Sequence, residues 1–189
     1  MIKSLSIIFP VFNEELRLKS SLDHINSFLK KKKKLKIEII FVDDGSKDNS
    51  YNLIDRYIKK IHSKNKTKFK VIKSKNNLGK GGALKLGIKK ARYDWILTTD
   101  IDMSVSLFQI SNWIEKKSIN NKHSVYFGSR SHKKSIVKRN LLRKLLGDIG
   151  SFFIFVILNI KIKDTQCGYK LYKKKYAKFA FSRLKNYGW

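Results

Sequence analysis

Over the first hundred residues, short apolar runs alternate with longer stretches whose apolar positions recur at helical spacing. Leu5–Val11 reads as a buried strand, broken at Pro10. Asn13 is placed to cap a helix, with Glu14 and Glu15 in its first turn, where the helix dipole favours acids. That helix carries Leu16, Leu18, Leu22, Ile25, Phe28 and Leu29 on one broad face and ends in the lysine run Lys30–Lys34. Ile37–Val42 is a second strand. Asp48 or Ser50 can cap a second helix through Leu53, Ile54, Tyr57, Ile58 and Ile61. Phe69–Ile72 is a third strand, Asn76–Gly82 a polar glycine-rich loop, Ala83–Ala91 a helix, and Trp95–Leu97 a fourth strand. Four strand–helix alternations argue an α/β fold whose mostly parallel central sheet is flanked by helices.

Two of these strands stop on paired acids. The second runs into Asp43 and Asp44, and the fourth into Asp100 and Asp102. In an open α/β sheet the carboxyl ends of the strands share one edge, and ligands bind there. Asp-x-Asp alone also occurs in ordinary surface turns. At a strand tip, two carboxylates so close repel each other and attract a cation. Oxygen-only ligands favour a hard divalent ion that also holds phosphate, so Mg2+ or Mn2+ is expected on Asp100 and Asp102. A carboxylate near metal-bound phosphate can also bond ribose hydroxyls or a uracil edge, a role open to Asp43 and Asp44.

The charge balance changes this picture only a little. The 189 residues carry 43 Lys and Arg against 14 Asp and Glu, a formal charge of +29. Such a surface attracts nucleotide phosphates, nucleic acid or an anionic membrane. Only seven of the basic residues are arginines, and an AT-rich genome accounts for the lysine bias equally well. Base-edge readers rely on Arg, so no specific nucleic-acid partner is expected. Four carboxylates on one edge of a chain so short of acids are harder to explain structurally. Cys167 is the only cysteine, which excludes an intramolecular disulfide and a cysteine metal cluster. Pro10 is the only proline. With no linker or internal repeat, the length reads as a single domain, residues 1–189.

Other phosphate-binding patterns fail. A dinucleotide fold needs G-x-G-x-x-G after its first strand, where this chain has Pro10–Glu14. A P-loop needs Ser or Thr after its lysine, and Gly79-Lys80-Gly81-Gly82 lacks one. That loop still lets backbone approach a ligand, and Lys80 is a candidate partner for a diphosphate.

Taken together, the motifs resemble glycosyltransferase family 2. They are Ile8-Phe9-Pro10-Val11-Phe12-Asn13-Glu14-Glu15, Val42-Asp43-Asp44-Gly45-Ser46, Asn77-Leu78-Gly79-Lys80-Gly81-Gly82-Ala83 and Asp100-Ile101-Asp102. Phe127-Gly128-Ser129-Arg130-Ser131-His132 and Asp164-Thr165-Gln166-Cys167-Gly168-Tyr169-Lys170 are similar to its dolichyl-phosphate (polyprenyl-phosphate) beta-glucosyltransferase branch. The resemblance implies a GT-A-type nucleotide-sugar-binding fold, with residues 1–103 as the nucleotide-sugar half and 104–189 as the acceptor half. It implies an enzyme that transfers glucose, with inversion, from UDP-glucose to a polyprenyl (dolichyl-type) phosphate. On that basis Asp100 and Asp102 hold Mg2+ or Mn2+ on the donor diphosphate. Asp43 or Asp44 binds the nucleoside, with Pro10 and Glu14 shaping the pocket. Arg130 is the candidate to grip the acceptor phosphate, since a guanidinium pairs with phosphate in bidentate fashion; Lys133, Lys134 and Arg139 either assist or form a solvated basic loop. Asp164 and Gln166 face the sugar or acceptor. A phosphate acceptor is already ionised and needs no general base.

Two departures qualify the expectation. Mannose synthases usually carry Gln two residues after the second metal-site Asp, whereas this chain has Ser104, which favours glucose. The family also continues past the position of Trp189 into further acids and a helix, so a fragment or a shortened, inactive enzyme is an alternative. So are a mannosyl donor, a glycan acceptor, or a basic binding protein. Leu141–Ile160 contains the apolar run Phe152–Leu158 between basic flanks. Its apolar part, Ile149–Ile160, is too short to cross a bilayer, and the segment resembles a helix lying in the membrane surface. Peripheral attachment to the cytoplasmic face of a membrane is therefore expected, with a core helix as the alternative.

Overall fold

A computed structural model describes residues 2–32, 35–62, 67–120, 122–129, 164 and 167–185. The elements run β1 (Ser4–Val11), α1 (Glu15–Lys31), β2 (Lys36–Asp43), α2 (Ser50–His62), β3 (Lys68–Lys73), α3 (Gly79–Lys90), β4 (Trp95–Thr98), α4 (Phe108–Glu115), β5 (Val125–Phe127), β6 (Lys170–Lys173) and α5 (Lys174–Ser182). The sheet order is β3-β2-β1-β4-β6-β5. The first four strands are parallel, as their helical crossovers require. β6 is antiparallel to both β4 and β5.

Strand alternation sorts the core into two layers. Leu5, Ile7, Phe9 and Val11 of β1, with Ile37, Ile39 and Phe41 of β2, pack with α1, α2 and α4. Ile8, Ile40, Val42 and Ile96 face α3 and α5 through Ala83, Ile88 and Ala177. Helix α1 buries Leu18, Leu22, Ile25, Phe28 and Leu29 as the periodicity predicts. Leu16 does not join them: it is 98% exposed. Two residues before Leu18 is about 200° of helix rotation, so Leu16 points away from the layer.

Three other expectations need correction. β1 is not broken at Pro10, which stays in register with Val42. Along β1, Ile8 faces β4 and receives Thr99 N–H at the ladder's end. Pro10 points the same way, past the last β1–β4 pair, where its missing N–H costs no ladder bond. Asn13 does not cap α1. It sits at φ +53°, and its Oδ1 accepts Lys47 N–H at 2.8 Å. Asp48 does serve α2, its Oδ1 accepting Ser50 N–H at 2.9 Å. Finally, α3 starts at Gly79 rather than Ala83. Carboxylate and amide oxygens of Asp44 and Asn77 take the Leu78 and Gly79 amides, which supplies the partners a helix start requires.

At the amino edge of the sheet, Glu38 is a buried acid whose needs are met. Its Oε1 accepts the Ser6 hydroxyl and Arg92 N–H, each at 2.6 Å, and Ser6 Oγ accepts Tyr93 N–H at 3.1 Å. This network fixes the turn between α3 and β4.

Candidate active site

The carboxyl edge carries the remaining acids, and they are held differently. Asp43, the last residue of β2, is 0% exposed. Among the described residues neither of its carboxylate oxygens has a hydrogen-bond partner. Glu38 and Asp43 thus stand near opposite ends of one strand, both buried, one satisfied and the other not. A buried acceptor without a donor is costly, and the Asp43 carboxylate is suited to accept an N–H or O–H from a ligand. Asp44 is also buried but accepts Leu78 N–H at 2.9 Å. Burial pushes its carboxyl above the ordinary carboxylate value, while the Leu78 and Gly79 amides pull it back.

The loop entering α3 joins the two acidic pairs. Leu78 is tied to Asp44, and two residues later Lys80 Nζ meets Asp100 Oδ1 at 2.5 Å. Gly168 lies behind the Asp100 carboxylate so closely that a Cβ there would overlap it. Thr98 Oγ1 donates toward Gly168 O at 3.1 Å, which pins that approach. Asp102 is exposed, and its Oδ1 accepts Ser104 N–H at 2.9 Å across a tight turn in which Met103 adopts φ +54°.

The edge is stitched from the other side by the β1–α1 loop. Glu14 N–H donates to Ser50 Oγ at 2.8 Å and Glu15 N–H to Asp48 Oδ2 at 3.0 Å. Asn13 N–H donates to Ser46 Oγ at 3.0 Å. The Glu14 side chain turns to Arg17 at 3.1 Å. Pro10 is partly exposed at the tip of β1, between the β2 and β4 acids.

Pro10, Glu14, Asp43, Asp44, Lys80, Asp100 and Asp102 therefore all lie on the carboxyl edge of the sheet. Asp164 is buried, and its charge acts on Lys170. Arg130, Gln166, Lys133, Lys134, Arg139 and the Leu141–Ile160 segment lie outside the described residues. The reading of motifs passed over Gly168 and Lys170. A strand residue after a glycine carries no periodic signal, and only the β4–β6 pairing reveals its neighbours. Lys170 is half-buried, and desolvation lowers its basicity despite the nearby charges of Asp100 and Asp164.

Among the described residues no cluster of three or more His, Cys, Asp or Glu could cage a metal alone. Asp100 and Asp102 offer two carboxylates at one strand tip. That fits Mg2+ or Mn2+, which bind through one or two carboxylates and fill their shell with phosphate and water.

A parallel half-sheet in 3-2-1-4 order, with acids at the tips of β2 and β4, is a GT-A-type nucleotide-sugar-binding fold. The chain belongs to glycosyl transferase family 2, whose profile it matches over residues 6–181. It is 42% identical to the dolichyl-phosphate beta-glucosyltransferase of Dictyostelium discoideum, over 95% of this chain and 57% of that protein. It is 37% identical to the human dolichyl-phosphate beta-glucosyltransferase, over 96% of this chain and 58% of that protein. The chain thus spans little more than half the length of these relatives. A mannosyltransferase from Pyrobaculum calidifontis, solved with GDP-Man and Mn2+, shares the fold with a TM-score of 0.62 at 16% identity. That match covers 93% of this chain and 46% of the other.

Proposed function

We propose that this chain catalyses inverting transfer of glucose from UDP-glucose to a polyprenyl (dolichyl-type) phosphate, with Mg2+ or Mn2+. Residues 1–103 form the donor half and 104–189 the acceptor half. The names borne by the relatives support the acceptor class and the sugar. The observation that carries a nucleotide donor is the unpartnered carboxylate of Asp43, which the uracil N–H would satisfy. Pro10 and Glu14 shape the same pocket, and Asp44 holds the loop that presents Lys80.

Asp100 and Asp102 would hold the metal against the donor diphosphate. When bound, the metal supplies neutralisation of charge on the leaving nucleoside diphosphate. Lys80 exchanges its contact with Asp100 for the same diphosphate. The acceptor phosphate oxygen attacks the sugar's anomeric carbon from the face opposite the departing UDP oxygen, so one C–O bond forms as the other breaks. No proton has to leave the nucleophile. Arg130 positions the acceptor phosphate, while Asp164 and Gln166 face the sugar. Among the described residues no helix is long and apolar enough to cross a membrane. The acceptor is a lipid, and the reading places the protein peripherally on the cytoplasmic face of a membrane surface.

The test is transfer of radiolabelled glucose from UDP-glucose to a polyprenyl phosphate, with GDP-mannose in parallel. The expected result is organic-phase label from UDP-glucose alone, abolished by EDTA and by Asp102→Ala. Label from GDP-mannose, or a product that stays in the aqueous phase, overturns the donor or the acceptor respectively.

A further inference from the structure

One cation near the acidic edge has no role in the scheme above. Lys170 opens β6, paired with Thr98 on β4 and Phe127 on β5. Around it the chain alternates: Tyr169 and Leu171 are buried in the layer under α1 and α4. Gly168 and Lys170 therefore face the other way, the side on which Gly168 meets Asp100. The Lys170 ammonium stands 5.7 Å from the Phe127 ring centre, and the charges of Lys80, Asp100 and Asp164 all act on it.

The topology decides which part of a ligand it meets. Along β2-β1-β4-β6, the nucleoside carboxylates stand at β2, the diphosphate carboxylates at β4, and Lys170 one strand beyond. Strand spacing of about 4.8 Å puts the β2 and β6 tips roughly 14 Å apart. A nucleoside diphosphate-sugar laid along this edge from β2 reaches β4 with its diphosphate and extends its sugar over β6. The cation at β6 lies past the leaving group, on the side from which the nucleophile arrives. Two anions must approach one carbon there, and a positive charge between them lowers their repulsion.

We propose that Lys170 binds the phosphate of the incoming acceptor. The assignment rests on the reading of that acceptor as a phosphomonoester. Lys80 then serves the donor diphosphate and Lys170 the acceptor phosphate, one on each side of Asp100.

The test compares wild type with Lys170→Gln and Lys170→Arg, each confirmed as folded by its thermal midpoint. Farnesyl phosphate binding and UDP binding with Mn2+ are measured calorimetrically, and the KM for each substrate by transfer assay. Lys170→Gln is expected to weaken farnesyl phosphate binding and raise the acceptor KM at least tenfold, with UDP affinity within twofold of wild type. Lys170→Arg, which keeps the charge, should recover most of the loss. Weakened UDP binding with an unchanged acceptor KM overturns the proposal, as does unchanged farnesyl phosphate binding in Lys170→Gln or its absence in wild type. If wild type binds farnesyl phosphate through Lys170 yet transfers no glucose, the assigned reaction fails while the phosphate site stands.

Discussion

Truncating Asp43 to Ala should stabilise the ligand-free protein and cripple nucleotide binding. Both oxygens of this buried carboxylate are without a donor among the described residues. A buried polar group left unpaired costs about 1–3 kcal/mol, and more when charged. Removing it relieves that cost, and the small void left behind returns part of it. A net gain of about 1–2 kcal/mol remains, and for a chain of this size that raises the thermal midpoint by about 2–8 °C. A hydrogen bond from a ligand to a charged acceptor contributes about 1.5–3 kcal/mol, so UDP affinity should fall by about 10- to 150-fold. Asp44→Ala is the control. Its carboxylate holds Leu78 N–H at 2.9 Å, so its loss leaves an amide unpaired and should destabilise by about 1–3 kcal/mol. Scanning calorimetry with and without UDP reads all three quantities. A lowered midpoint for Asp43→Ala, with the UDP-induced shift intact, would refute the reasoning.

Gly168→Ala should abolish metal-dependent transfer as fully as Asp100→Ala, because the new Cβ displaces the Asp100 carboxylate; retained Mn2+–UDP binding would count against it. Lys80→Met should tighten Mn2+ binding in the absence of nucleotide, since the ammonium competing at 2.5 Å is gone, and weaken UDP binding in the presence of Mn2+; Mn2+ titration by electron paramagnetic resonance reads the first. His24 accepts Leu107 N–H at 3.3 Å through Nε2, which only an unprotonated ring nitrogen can do, and burial holds its basicity below the ordinary value of 6.5. The folded state therefore binds fewer protons than the unfolded one. Stability should be whole above pH 6.5 and fall as pH drops through the lowered value, a slope that urea melts of His24→Gln should lack.

The amino-terminal half was legible because each signal there is local. Apolar runs of β1 and β2, the helical spacing of α1 and α2, and the acids ending β2 and β4 all follow from period and position. The errors there came from tertiary contacts overriding local rules. Pro10 continues a strand because its side of β1 has already lost its neighbour. Gly79 starts a helix because an aspartate thirty-odd residues away takes the amide before it. Beyond Met103 the pattern gave no strands, and its one helix, Leu141–Ile160, lies outside the described residues. β5 and β6 are three and four residues long, too short for alternation to register. They exist because β6 adds antiparallel to β4 and supplies an edge for β5. Nothing local marks Lys170, since its neighbourhood is made by that pairing.

One segment accounts for how the two acidic pairs work together. Between Asn77 and Lys80 the chain is fixed at Leu78 by Asp44, turns through Gly79 at φ +78°, and delivers Lys80 to Asp100. Only glycine adopts that backbone at little cost, so its place in the loop is conformational rather than merely permissive. Because Leu78 is anchored, the Lys80 backbone does not have to follow its ammonium. The long flexible side chain can leave Asp100 for a diphosphate while α3 stays docked. On the proposed reading, the carboxylate that later takes a divalent ion is meanwhile kept from repelling Asp102 unopposed. On that reading, the acid that helps frame the nucleoside pocket also sets the position of the cation guarding the metal ligand. Loosening Asp44 should disturb both ends of the donor at once.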